Sequence, residues 1–161
     1  DGEPDADFIY PSFAEGRAES LTLGRQVHES LAGMEWPALE WEEKSDGEVK
    51  EMLRETMKAE EIRRLLSPPG GTIEVWREKA FDAIVEGAWV SGVFDRVHFS
   101  DELPPVIIDF KTDASVPKEI PGAHRRQMGI YRKALSLILD VKEPEIQAKL
   151  VYLRAGRVVE V

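Results

Sequence analysis

Not one of the 161 residues is cysteine. That single absence removes disulfides, thiolate zinc sites and cysteine-ligated iron–sulfur clusters, and it fits a reducing cytoplasm. No apolar run comes near the roughly 20 residues a helix needs to cross a bilayer, so no membrane partner is expected. The first residues, Asp-Gly-Glu-Pro-Asp-Ala-Asp, have neither the basic start nor the apolar centre of a signal peptide. The phosphate loop G-x-x-x-x-G-K-[ST] does not occur, which excludes an ATPase motor within these residues. Positive charge is scarce too. Against 31 Asp and Glu stand 21 Lys and Arg, a net charge of −10. Nucleic-acid binders usually show a basic footprint, so this balance opposes such a partner. Two features soften the objection. A carboxylate metal site is negative by design, and Arg125, Arg126, Arg132 and Lys133 form a local basic cluster.

What is present describes a globular domain: 42% hydrophobic and 32% charged residues. Residues 1–11, rich in Asp, Pro and Gly, read as a tail or linker, and residues 12–161 as one domain. Ser12-Phe-Ala-Glu15 fits a helix-opening capping box. A helix is predicted from Glu19 to Ala32, stopped by Gly33, with Leu23, Val27 and Leu31 on one stripe and Leu21, Gly24, His28 and Leu31 on the next. By itself His28 reads as a half-buried, hydrogen-bonded boundary histidine. Met34–Asp46 reads as irregular around Pro37, with Trp36 and Trp41 as packing residues. A second helix is expected from Gly47 to Leu66, its charges alternating in sign along a solvated face. Thr72–Phe81 alternates as a strand, and 82–87 reads as a turn. Residues 114–122 form a loop, 123–139 a third helix, and Ile146–Leu153 with Val158–Val161 an edge hairpin. On the third helix Gln127, Tyr131, Leu135 and Ile138 share the inward face. The pattern is α+β or mixed α/β, one sheet flanked by helices.

The stretch from Trp89 to Asp113 organises the rest. It reads as a hairpin, Trp-Val-Ser-Gly-Val-Phe-Asp-Arg-Val-His-Phe, a Pro-Pro turn, then Val-Ile-Ile-Asp-Phe-Lys-Thr-Asp. Alternation puts Asp109 and Lys111 on one face with Ile107, and Asp95 with Val93 and Val97 on the other strand. Charges inside such strands are costly unless paired or metal-bound. Two aspartates on adjacent strands supply hard oxygen ligands for Mg²⁺ or Mn²⁺, and a neighbouring lysine supplies charge for a phosphoryl transition state. Taken alone, Asp-x-Lys is better explained by a plain i,i+2 charge pair at a sheet edge.

Four segments in order sharpen the choice: Gly24-Arg-Gln-Val-His28-Glu-Ser-Leu31, Gly92-Val-Phe-Asp95-Arg, Ile108-Asp109-Phe-Lys111-Thr-Asp113 and Gln127-Met-Gly-Ile-Tyr131. Together they resemble the RecB-like nuclease branch of the PD-(D/E)xK superfamily, as found at the C-terminus of AddA- and RecB-type helicase–nucleases. The resemblance implies a restriction-endonuclease-like core and an Mg²⁺- or Mn²⁺-dependent DNA nuclease, an exodeoxyribonuclease acting in double-strand-break repair on single strands. The DNA would be delivered by helicase domains in cis, and a second helicase–nuclease subunit is a further implied partner. It assigns His28, Asp95, Asp109 and the main-chain carbonyl of Phe110 to the metal. Lys111 becomes the catalytic lysine, Gln127 and Tyr131 orient it or touch the DNA backbone, and Glu78 stands where many relatives carry a glutamate. His28 changes from boundary residue to ligand. A ligand histidine must be neutral, which sets a lower limit for metal binding near pH 6.5. The family's Pro-Asp pair is Phe94-Asp95 here, and the lack of cysteine separates the chain from AddB-like relatives. The competing expectation is a non-catalytic module that keeps the nuclease fold for docking or DNA guidance.

Overall fold

The computed structural model describes residues 18–161, with side chains described from residue 22 onward. The tail 1–11 and the Ser12–Glu15 capping box lie outside the described residues. Among the described residues four helices come first: α1 (Ala18–Ala32), α2 (Pro37–Lys44), α3 (Gly47–Thr56) and α4 (Glu60–Leu65). They are followed by β1 (Glu74–Val85), β2 (Ala88–Phe99), β3 (Val106–Lys111), α5 (Gly122–Leu139), β4 (Gln147–Tyr152) and β5 (Arg157–Glu160). The five strands form one sheet in the order β1-β2-β3-β4-β5. β2 runs antiparallel to both of its neighbours, β1 and β3, while β3 and β4 are parallel with α5 as the crossover, and β5 returns antiparallel at the edge.

Each face of the sheet has its own core. On one side α5 packs Met128, Tyr131, Ala134 and Leu135 against Phe94, Val97, Ile107, Leu150 and Tyr152. On the other, α1, α3 and α4 bring Val27, Leu31, Leu53 and Ile62 onto Ile108, Phe110 and Val151. β3 divides its side chains between the two as alternation requires, Ile107 to the α5 side and Ile108 and Phe110 to the other. This strand, apolar on both faces and interrupted only by charge, is central.

Four expectations need correction. Pro37 does not break structure but starts α2 at its first position, where a missing N–H costs nothing. The single helix expected over 47–66 is two, because the chain turns at 57–59; Met57 and Ile62 are thereby both buried, and Arg63 Nη1 covers the Met57 carbonyl at 2.9 Å. The 82–87 turn shrinks to Glu86-Gly87, both at positive φ (52° and 81°), the backbone of a tight hairpin. On α5, Ile138 is 42% exposed and not part of the inward stripe.

The register of β1 on β2 hides an irregularity. It is continuous from Glu74↔Phe99 to Arg77↔Arg96 and again from Lys79↔Phe94 to Val85↔Ala88, with Glu78 and Asp95 left out between. Glu78 has φ 46°, a left-handed conformation inside a strand. Both strands change face at this step. Phe94 and Val97, three apart, enter the same core, as do Trp76 and Phe81, five apart. Strict alternation would separate each pair. Asp95 consequently does not share a face with Val93 and Val97; Val97 is buried and Val93 is exposed.

Candidate active site

The break at Asp95 is what makes a site. The β2–β3 ladder holds only from His98↔Val106 to Arg96↔Ile108. One step further, the Asp95 carboxylate accepts the Phe110 N–H at 2.9 Å, taking the role a backbone carbonyl plays in a regular ladder. Asp95 is thus tied sideways to the neighbouring strand. Arg96, next to it, is 1% exposed and clamps the turn after α1, donating to the carbonyls of Met34 (3.1 Å) and Glu35 and to His98 Nε2 (2.6 Å). Sequence reading gave Arg96 no task of its own beyond the motif. Its buried guanidinium joins strand β2 to helix α1.

Helix α1 delivers His28. Gly24 lets it come close: a Cβ at that position would stand 3.1 Å from Thr112 Oγ1, just beyond β3. His28 Nδ1 lies 2.8 Å from the Gly24 carbonyl, and Nε2 lies 3.0 Å from the Phe110 carbonyl and 3.4 Å from Asp95 Oδ2. Both ring nitrogens face oxygens, an arrangement that only the doubly protonated imidazolium satisfies. Burial pushes His28 down, but Asp95, through a hydrogen bond and its charge, together with the Gly24 carbonyl and Asp109 lifts it to about 9. Asp95 itself rises to about 6, driven by burial and the charge of Asp109 against the opposing pull of His28 and the Phe110 N–H.

Asp109 and Lys111 stand on β3 with Ile107, as alternation requires. Asp109 is buried, and its Oδ2 lies 2.8 Å from Lys111 Nζ. The contact is ionic without the alignment of a hydrogen bond, so the oxygen has charge beside it but no directed donor among the described residues. Burial lowers Lys111, yet Asp109 foremost, then Asp95 and Asp113, hold it above the usual lysine value. Gln127 and Tyr131, one turn apart on α5, are both buried, with Gln127 Nε2 3.4 Å from the Tyr131 hydroxyl. Tyr131 meets Phe81 and Phe94 edge-on at 5.2 and 5.3 Å. Gly92 makes room for it, since a Cβ there would lie 2.8 Å from the Phe81 ring and 3.1 Å from that of Tyr131. Glu78 is exposed and in the strained conformation noted above. Its carboxyl is raised by partial burial against His28, with Asp109 and Glu29 adding to the rise.

The expected residues are therefore gathered in two halves. His28, Asp95 and the Phe110 carbonyl form one, and the Asp109–Lys111 pair the other. Among the described residues, no three His, Asp or Glu side chains are drawn into a finished cage. The donors suit a hard divalent cation in kind: two carboxylates, a carbonyl and an imidazole. Each of the two aspartates has a basic side chain beside it, His28 at Asp95 and Lys111 at Asp109. The buried Asp109 oxygen without a directed donor is a ready ligand.

Two neighbours of Lys111 escaped sequence reading. His124, in the first turn of α5, is depressed by burial and then by Lys111, and its Nδ1 is buried without a hydrogen bond among the described residues. Tyr152, the register partner of Lys111 on β4, is 0% exposed and its hydroxyl likewise has no hydrogen-bond partner among the described residues. No motif marks either residue; only strand pairing and the crossover bring them in. Comparison with known proteins gives no match among curated sequences. A family model does match, over residues 11–160, and by that span the chain belongs to the PD-(D/E)XK nuclease superfamily, whose mixed sheet flanked by helices it shares.

Proposed function

We propose that the chain is a metal-dependent DNA nuclease of the RecB-like branch, using Mg²⁺ or Mn²⁺ and acting on single strands supplied by an associated helicase during double-strand-break repair. The observation that carries this reading is the meeting of His28, Asp95 and the Phe110 carbonyl within 3.0–3.4 Å, beside the Asp109–Lys111 pair. His28, Asp95, Asp109 and the Phe110 carbonyl would hold the cation. A bound divalent ion supplies a nucleophilic water near neutral pH and charge for the attacked phosphate.

The chain's own groups do the remainder. Lys111 keeps its proton, because Asp109 and its acidic neighbours outweigh burial. It therefore acts as a fixed positive charge beside the developing phosphorane, not as a base. Gln127 and Tyr131 hold the near end of α5 against β2 and set the wall along which the phosphate lies. Arg96 keeps α1 seated so that His28 reaches Phe110. Glu78, on the strained step of β1, stands close enough to sense His28 and Asp109 and to order water there.

The rival reading, a docking or guiding module, draws on the net charge of −10. The intact set of acids, imidazole and lysine weighs against it. With Mg²⁺ or Mn²⁺ the chain should cut single-stranded DNA, and Asp109→Ala or Lys111→Ala should lower the rate by at least about 100-fold, the scale of a lost transition-state charge. A Lys111→Ala variant that cuts at the parent rate overturns the mechanism. Calorimetry that detects no binding of millimolar Mn²⁺ favours the module.

A further inference from the structure

We propose that Tyr152 is a positioning residue, its hydroxyl receiving the Lys111 ammonium when Asp109 turns from that lysine to a cation. The inference rests on the nuclease reading and deepens it. Lys111 is seated on Asp109. Asp109 cannot give the same oxygen to a divalent ion and keep the ammonium as close. Lysine has three donors and no acceptor, so once Asp109 turns away the ammonium needs a new acceptor near the phosphate or it swings into solvent.

Tyr152 is placed for that role by the sheet. Lys111 and Tyr152 are register partners on parallel β3 and β4, and the Leu153 N–H donates to the Lys111 carbonyl at 2.9 Å, fixing the two strands at this level. Neighbouring strands lie about 4.8 Å apart. The side chains share a face: Tyr152 belongs to the α5-side core with Ala148, Leu150 and Ile107, and Lys111 stands two and four residues from Asp109 and Ile107. The ring is wholly buried, so its hydroxyl cannot turn to water, yet it has no hydrogen-bond partner among the described residues. Buried hydroxyls are rarely left so, and each such case calls for a cause. The charges around this one are Asp113, Lys111 and Asp109, and burial with Asp113 raises its pKa. A phenol oxygen can accept from Lys111 while its proton points to Asp113. The His124 Nδ1, without a hydrogen bond among the described residues, feels the same three residues, so the polar ground around Lys111 is unfinished on two sides.

The test compares the chain with Tyr152→Phe, which removes one oxygen and keeps the ring. Without metal, the variant should melt at the same temperature or higher, because a partnerless hydroxyl is gone. With saturating Mg²⁺ and a single-stranded oligonucleotide, kcat should fall about 10- to 100-fold, the usual loss for a partner that orients a site residue, while KM for DNA stays unchanged. Lysine-labelled NMR gives a readout apart from turnover. The Lys111 Nζ resonance should be alike in both proteins without metal, and on adding Mg²⁺ it should remain sharp only in the parent. Parental kcat in the variant, or identical Lys111 resonances with Mg²⁺, overturns the proposal. So does a raised KM with kcat intact, which would make Tyr152 a DNA contact. A parent chain that binds Mg²⁺ but cuts no DNA sinks the nuclease reading along with it.

Discussion

His28 meets two opposed demands. It is held as a cation up to about pH 9 by the Gly24 and Phe110 carbonyls and by Asp95. As a ligand it must be neutral. On the ligand role proposed for it, the limit near pH 6.5 expected for an ordinary imidazole moves upward, and binding a cation at pH 7 would expel a proton from this ring. The stability consequence has a definite sign. Between 6.5 and about 9 the folded chain holds the His28 proton and the unfolded chain does not. Stability is then complete below 6.5 and falls as pH rises through that window, by up to about 3 kcal/mol. Asp95, raised to about 6, makes its own contribution below the window. Urea titrations of the metal-free chain from pH 6 to 9.5 should show the decline, and His28→Gln should flatten it. With Mg²⁺ present the trend should reverse, since the ion gains what the proton gives up. A parent that is flat without metal would mean that His28 is not held as a cation.

The β1–β2 hairpin shows which parts of a fold a linear sequence carries. The existence of α1, α5, the β2–β3 hairpin and the β4–β5 edge is written in local periodicity and turn residues. So is the grouping of Asp109 with Lys111, two apart on one strand. The change of face at Glu78 and Asp95 is not, because either residue alone looks like an ordinary strand position and only the two together keep the ladder in register. The turn at 57–59 was equally hidden, since charge alternation continues straight through it. Tyr152 comes beside Lys111 through parallel pairing across a helix, and nothing in the local sequence announces such a pairing. The motif glycines can be tested as a contrasting pair. A Cβ on Gly92 meets the Phe81 ring at 2.8 Å, and that ring is stacked on Phe94 at 4.4 Å and edge-on to Tyr131 at 5.2 Å, so it has nowhere to go. Gly92→Ala should destabilise by about 1–3 kcal/mol. Gly24→Ala meets only the Thr112 hydroxyl, at 3.1 Å, and gains about 1 kcal/mol of helix propensity. Its melting temperature should hardly change while Mn²⁺ affinity drops, because α1 and His28 are lifted from Phe110. Equal losses of stability in the two variants would refute the distinction.

A molecule with net charge −10 can still meet DNA if its cations are unevenly committed. On the helical side most are neutralised locally: Lys44 by Glu40, Arg54 by Glu51, Lys58 by Glu55 and Arg64 by Glu60. The basic cluster on α5 divides in the same way. Arg132 is bound to the Val161 carbonyl and Lys133 to Glu86, whereas Arg125 and Arg126 are exposed in the first turn, one step from His124 and Gln127. Cations usually avoid that end of a helix, where the backbone dipole is positive, and α5 has no acid there to compensate. The arrangement costs stability in the free chain and suits a phosphate. DNA binding measured against salt separates the two pairs. In a Lys111→Ala background, which keeps the strand intact, Arg125→Ala with Arg126→Ala should lower the slope of log affinity on log salt by about 1 to 2, one phosphate contact per arginine. Arg132→Ala with Lys133→Ala removes the same formal charge and should leave that slope unchanged, because those side chains are already engaged with the protein. If both double variants lose the same slope, binding follows net charge alone, and the first turn of α5 is not where the strand meets the protein.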